Sequence, residues 1–189
     1  MRFTTVLAGL ALVALLGGLK AEDVKVGEKA PVFDGTDESG KAWKSADHVG
    51  KKVVVVYFYP ADFTGGCTKQ ACSFRDDFQK LVDKGVEVVG ISGDSVKTHE
   101  LFKKEHKLPF TLLADEKGEI AKKFGVPVKV GSAKAKVTVG GQATELERGA
   151  TIQRWTFVID KAGNIAHKND KVNAAEDSKS VMEAVGKLK

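Results

Sequence analysis

The chain holds two thiols, Cys67 and Cys72, five positions apart in YFYPADFTGGCTKQACSFRDDF, residues 57 to 78. Cys67, Ala71, Phe74, Phe78 and Leu81 follow one another at spacings of four, three, four and three, which places them on one apolar helical stripe. Cys67 stands at the N-terminal end of that stripe, just after Gly65 and Gly66. A sulfur there meets the positive end of the helix dipole and backbone N–H groups without intrahelical partners, and both favour the thiolate. The two glycines let backbone approach a small ligand. Cys72 is five residues on, so an undisturbed helix keeps the two Cα atoms ~8.6 Å and about 140° apart. A disulfide needs less than about 7 Å, so the pair can bond only if the helix unwinds locally. As a permanent bridge it would close a short loop, contribute at most ~2 kcal/mol and break a well-formed helix. Strained disulfides are the easily reduced ones, which favours a redox pair over a structural bridge or two inert core thiols. Pro60 ends the preceding strand and stiffens the approach. Thr64, three residues before Cys67, stands where a hydroxyl can cap the helix, or where it can hold a polar substrate atom beside the sulfur.

The elements that position these residues follow from pattern. VVVVYFY, residues 53–59, reads as a buried central strand, and VEVVGIS, residues 86–92, as a second. Between them, Thr64 to Lys84 reads as one helix closed by Gly85. Ser95 caps a polar helix to Lys107. Phe110–Ala114 reads as a short strand, and Glu116–Phe124 as a short helix stopped by Gly125 and Pro127. WTFVID, residues 155–160, is a third strong strand, turned by Ala162-Gly163-Asn164 into a hairpin with 165–167. An amphipathic helix from Ala174 carries Val181, Val185 and Leu188 on one stripe. This order predicts an α/β sandwich, a mixed sheet with helices on both faces. Residues 129–149 are polar and glycine-rich and read as an inserted surface loop, with a hairpin across Gly140-Gly141 as the alternative.

At the N-terminus, Arg2 precedes an apolar run from Val6 to Leu16, then Gly17-Gly18 and the site Leu19-Lys20-Ala21. That is the layout of a secretory leader over residues 1–21, too short for a comfortable span, with export to the periplasm as the expectation. Cleavage leaves residues 22–189 as a single domain and lowers the net charge from +5 to +3. Its lysines are interleaved with acids, so nucleic-acid binding is not indicated, and no stable membrane association is expected once the leader is gone. His48, His99, His106 and His167 are scattered without ligand spacing and read as isolated surface residues, so no metal site is expected. Asp76-Asp77 lies on the polar side of the Cys67 helix and is given no acid/base role.

PADFTGGCTKQACSFRD resembles the peroxiredoxin family: Pro60, Thr64 and Cys67 match its Pro-x-x-x-Thr-x-x-Cys signature. CTKQAC is similar to the bacterioferritin comigratory protein (PrxQ) branch. The resemblance runs from about Val26 to the C-terminus, through APVF near residue 30, LPFTLLAD at 108–115 and RWTFVID at 154–160. It implies a thioredoxin-like fold, Cys67 as peroxidatic and Cys72 as resolving cysteine, and Arg154 as the active-site arginine. Without it, Arg154 reads as a surface residue at a strand edge. Arg75 is a further cation near the site. Position 65 is Gly where many relatives have Pro, and the segment before Arg154 is longer than in compact relatives. The implied activity is reduction of hydrogen peroxide or organic hydroperoxides without a cofactor, by a monomer reduced by thioredoxin or a periplasmic thioredoxin-like protein. Two rivals stand beside it. A thioredoxin-like oxidoreductase would ordinarily use C-x-x-C. A redox sensor would oxidise once and not turn over.

Overall fold

A computed structural model describes residues 23–188. The leader reading falls on residues outside that range. The chain forms strands β1 (Asp34–Asp37), β2 (Ala42–Lys44) and β3 (Val53–Phe58), then helices α1 (Gly65–Asp76) and α2 (Phe78–Val82). Strand β4 (Val86–Ser92), helix α3 (Val96–His106), strand β5 (Thr111–Ala114) and helix α4 (Glu119–Lys123) follow. Strands β6 (Val128–Val139), β7 (Gln142–Ile152), β8 (Trp155–Ile159) and β9 (Ile165–Asn169) and helix α5 (Asp177–Gly186) complete it. Seven strands form one mixed sheet in the order β2-β1-β5-β4-β3-β8-β9. The β3/β4 and β4/β5 pairs are parallel; β3/β8, β8/β9, β1/β5 and β1/β2 are antiparallel.

Strand β3 runs through the centre, and all six of its residues are buried. Alternation along a strand sends successive side chains to opposite faces. Val54, Val56 and Phe58 join Ile120, Phe124, Ile152 and Phe157 on one side. Val53, Val55 and Tyr57 join Cys67, Ala71, Phe74, Leu81, Phe102 and Val181 on the other. Helices α1, α2, α3 and α5 therefore cover one face. Helix α4, the base of β7 and the N-terminal residues Val24, Phe33 and Trp43 cover the opposite one. No helix among the described residues is long and apolar enough to cross a membrane.

Four expectations change, the smallest being that the helix read from Ala174 begins at Asp177. The helix read from Thr64 to Lys84 is two helices. At Asp77 the backbone leaves helical values (φ −97°, ψ 5°), and its carboxylate accepts from Lys80 Nζ and Ser178 Oγ, both at 2.8 Å. Gly85 does close the segment, with φ +71° and its N–H on Val82 O at 2.8 Å. The helix read from Glu116 begins only at Glu119, because Asp115 holds the free N–H groups of Ile120 and Ala121 at 3.1 and 2.9 Å and Gly118 turns left-handed before them. Residues 129–149 are not a loop. They are the two arms of an antiparallel ribbon paired from Val128↔Ile152 to Val139↔Gln142, with Gly140 and Gly141 at φ +55° and +83° in the turn. Such a pair of positive φ values matches the twist of a tight hairpin. The arms are largely exposed, so no hydrophobic alternation marks them. The ribbon is anchored at its base. Gly149 N–H donates to Gly93 O at 2.9 Å, and a Cβ on Gly93 would lie 2.1 Å from Ala150 O.

Candidate active site

The site is built where β3 ends. After Tyr59 and Pro60 the chain turns through Asp62 and Phe63 into α1. Phe63 has φ +57°, a left-handed conformation that costs a non-glycine residue about 1–2 kcal/mol. Its ring rests against Phe102 and His106 of α3, with centroids 5.1 and 5.8 Å away, and this packing holds the turn. Thr64 takes the N-cap position in extended geometry (φ −90°, ψ 147°), but its side chain caps nothing. The hydroxyl donates instead to Ala61 O at 3.0 Å. The capping reading of Thr64 is thereby corrected. The short loop takes its proton, and its oxygen lone pairs remain as acceptors.

Cys67 is the third residue of α1 and 2% exposed; Cys72, still within α1, is half-buried, and both are free thiols. Cys67, Ala71, Phe74 and Leu81 are buried as the stripe requires, while Phe78 is half-buried against them. Gly65 faces open space, and Gly66 faces Arg154. Arg154 lies between β7 and β8, not on the outer surface. Its Nη2 donates to Cys67 Sγ at 3.1 Å, and its Nη1 donates to Gln70 Oε1. A guanidinium thus stands against the sulfur at the entrance to a helix. Pro60, Pro127, Val128, Ile152 and Arg154 line an adjoining hollow of about 490 Å³. Arg75 stands beside Cys72 rather than Cys67, donating to His106 O at 2.9 Å and to Asp76.

Two buried polar clusters flank this loop, and pattern reading missed both. In the first, Asp62 accepts from Tyr59 Oη at 2.7 Å and from His99 Nδ1 at 2.8 Å. Asp62 N–H donates to Asp94 Oδ2 at 2.9 Å, which also accepts from Ser92 Oγ at 2.6 Å. His99 is 0% exposed, so its reading as a surface residue is corrected. Burial alone would push His99 down, but the carboxylates of Asp62 and Asp94 outweigh it and hold it above the usual imidazole range. Burial, with the Asp62 charge beside it, pushes Asp94 up to about 6. His48 also departs from an isolated surface role. It is half-buried, stacks on Trp43 at 4.4 Å and pairs with Glu87 at 2.8 Å.

The second cluster lies behind Arg154. Gln70 is 0% exposed and donates from Nε2 to Asp177 Oδ2 at 2.7 Å. Thr156 Oγ1 donates to the same oxygen at 2.7 Å. Burial raises Asp177 above the usual carboxylate range, against the two hydrogen bonds it accepts. Gln70 carried a signal: three residues past Cys67, it shares the buried side of the stripe. Asp177 carried one of the same kind: it stands four residues before Val181 on the buried side of α5, where a carboxylate in place of an apolar residue needs partners.

A seven-stranded mixed sheet, a thiol at the start of the helix following its central strand, and an arginine delivered to that thiol from an antiparallel neighbour define a thioredoxin-like peroxiredoxin architecture. The chain belongs to the AhpC/TSA family, whose model matches residues 26–168. It is 43% identical over 144 residues to the chloroplastic peroxiredoxin Q of Oryza sativa subsp. japonica, covering 76% of this chain and 58% of that one. It is 41% identical over 165 residues to a Coxiella burnetii protein that carries the name peroxiredoxin bcp, covering 87% of this chain and 99% of the other. Among solved structures it is similar to peroxidoxin BcpB from Mycobacterium tuberculosis, with a TM-score of 0.72, 26% identity, and coverage of 88% and 99%. The chain thus spans little more than half the length of the plant relative and nearly all of the bacterial ones.

Proposed function

We propose that this chain is a thiol-dependent peroxidase in which Cys67 is the peroxidatic and Cys72 the resolving cysteine. The observation that carries the reading is the Arg154 guanidinium 3.1 Å from the sulfur of Cys67 at the start of α1. A cation there favours the thiolate and stands where charge develops when a peroxide O–O bond is broken. The thiolate attacks one peroxide oxygen and becomes a sulfenic acid, and the other oxygen leaves as water or alcohol after taking up a proton. Thr64, whose O–H is engaged with Ala61 O, accepts a hydrogen bond from the incoming peroxide. Pro60 and Arg154 form one wall of the hollow through which the substrate enters. Cys72 then condenses with the sulfenic acid, releasing water, and an external dithiol reduces the disulfide.

Within this reading the enzyme is a monomer of the atypical two-cysteine type. Its reductant is thioredoxin or a periplasmic thioredoxin-like protein, and residues 1–21 are a leader removed on export. Sequencing of the mature protein from its native host would then begin at Glu22. The thioredoxin-like oxidoreductase reading is the weaker one, since Cys72 lies more than a helical turn beyond Cys67. Peroxide consumption with thioredoxin and its reductase tests the function. Cys67→Ser is expected to abolish turnover. Cys72→Ser is expected to keep the first oxidation and lose cycling. Full turnover in Cys67→Ser overturns the assignment.

A further inference from the structure

Gln70 lies between the two cysteines, inside the turn that must unwind before they can bond. It is fully buried and held from two sides, by Arg154 at Oε1 and by Asp177 at Nε2, the latter at 2.7 Å. Asp177 is the first residue of α5, is 1% exposed, and is itself fixed by Thr156 of the central sheet. The next residue, Ser178, makes a second tie, to Asp77 at the C-cap of α1. Its Oγ donates to Asp77 Oδ2 at 2.8 Å. The start of α5 thus grips α1 at two points, one within the Cys67–Cys72 segment and one beyond it. Only the first must let go for the disulfide to form. While it holds, Cys72 stays more than a helical turn away and a sulfenic acid on Cys67 remains beside Arg154.

We propose that Asp177 is a positioning residue whose tie to Gln70 latches the Cys67–Cys72 turn shut and sets how the sulfenic acid divides between two fates. The inference rests on the peroxidase reading above. In one fate Cys67–SOH and Cys72–SH join as a disulfide and release water. In the other, a second peroxide molecule adds an oxygen to give Cys67–SO₂H, leaving as water or alcohol. The first fate needs the turn open and the second proceeds with it closed. Loosening the latch therefore favours the disulfide.

The test is stopped-flow oxidation of the reduced full chain by hydrogen peroxide, with the disulfide and the sulfinic acid separated by intact mass. Asp177→Ala removes the acceptor. Loss of a hydrogen bond to a charged group is expected to speed disulfide formation, and to raise the peroxide dose giving half sulfinic acid, by about tenfold. Asp177→Asn keeps an oxygen in the same place and is expected to stay close to wild type. Ser178→Ala removes the other tie between the same helices and is expected to leave the partition unchanged. A merely structural role in docking α5 would move both Asp177→Ala and Ser178→Ala together. Should Asp177→Ala fail to fold, Gln70→Leu breaks the latch from the α1 side with an apolar residue and is expected to shift the partition in the same direction. An unchanged dose in the folded latch variant, or an equal shift in Ser178→Ala, overturns the proposal while leaving the peroxidase reading intact. Failure of the wild type to form the Cys67–Cys72 disulfide at all defeats that reading and the latch with it.

Discussion

The two buried clusters beside the Cys67 loop are both polar and both sealed from solvent, yet they are built differently. Asp62, Asp94 and His99 tie the loop to the end of β4 and to α3, which no step of the chemistry asks to move. Four titratable groups, Tyr59 among them, share that space. Gln70, Thr156 and Asp177 tie α1 to the sheet and to α5, and in the proposed reaction α1 must partly unwind for Cys67 and Cys72 to bond. That cluster has one carboxylate and otherwise neutral side chains. Breaking a buried charge pair from one side costs about 3–5 kcal/mol, whereas a single hydrogen bond from an amide to a carboxylate costs about 1.5–3 kcal/mol. Permanence is written in charge, and release in amides and hydroxyls.

Three substitutions separate the two. His99→Leu is expected to cost the most stability, about 3–5 kcal/mol, because it leaves the buried Asp62 carboxylate without its imidazole partner. Urea unfolding measures this, and the peroxide reaction of the folded fraction is expected to change only a few-fold. Arg154→Met is expected to do the converse, lowering the second-order rate with peroxide by about 10²–10³ through loss of the donor at the sulfur. Its urea midpoint is expected to move far less. A large rate loss in His99→Leu with stability unchanged would erase the distinction.

The third effect is smaller and depends on pH. Asp94 binds its proton more tightly folded than unfolded, so its contribution is complete below pH 3.8 and is lost as pH rises through about 6. His99 is also raised, so its contribution is full below pH 6.5 and fades as pH rises through its higher folded value. Thermal stability is expected to fall as pH is raised above 4, and Asp94→Asn is expected to flatten the part between 4 and 6. A stability that rises between pH 4 and 6 in the wild type and not in the variant would reverse the sign assigned to Asp94.

What the sequence pattern marks, and what it leaves unmarked, divides along the same physical line. Val53–Tyr59 was legible because burial on both faces leaves no polar residue in the run. The Cys67–Leu81 stripe was legible because its period matches a helix, although the break at Asp77 was not. That break depends on Ser178, about a hundred residues away in sequence. The ribbon reads as a loop because its outer arms have no core on either face; only the base of β7, at Leu146, Ala150 and Ile152, is buried, and the two-glycine turn is its other mark. β1 and β2 are short edge strands without a strong apolar pattern and went unread. Asp62 and His99 are 37 positions apart, and nothing local in either segment announces that a buried imidazole needs a carboxylate.

The ribbon's shape has a consequence for how this architecture tolerates change. Its arms join the body at Val128 and Ile152, directly opposite one another, and Arg154 follows two residues later. Residues inserted or deleted as facing couples near Gly140 and Gly141 lengthen or shorten the protrusion without shifting its root. The span between Pro127 and Gln153 is thus free to vary by several residues, while the guanidinium arrives at the same spot each time.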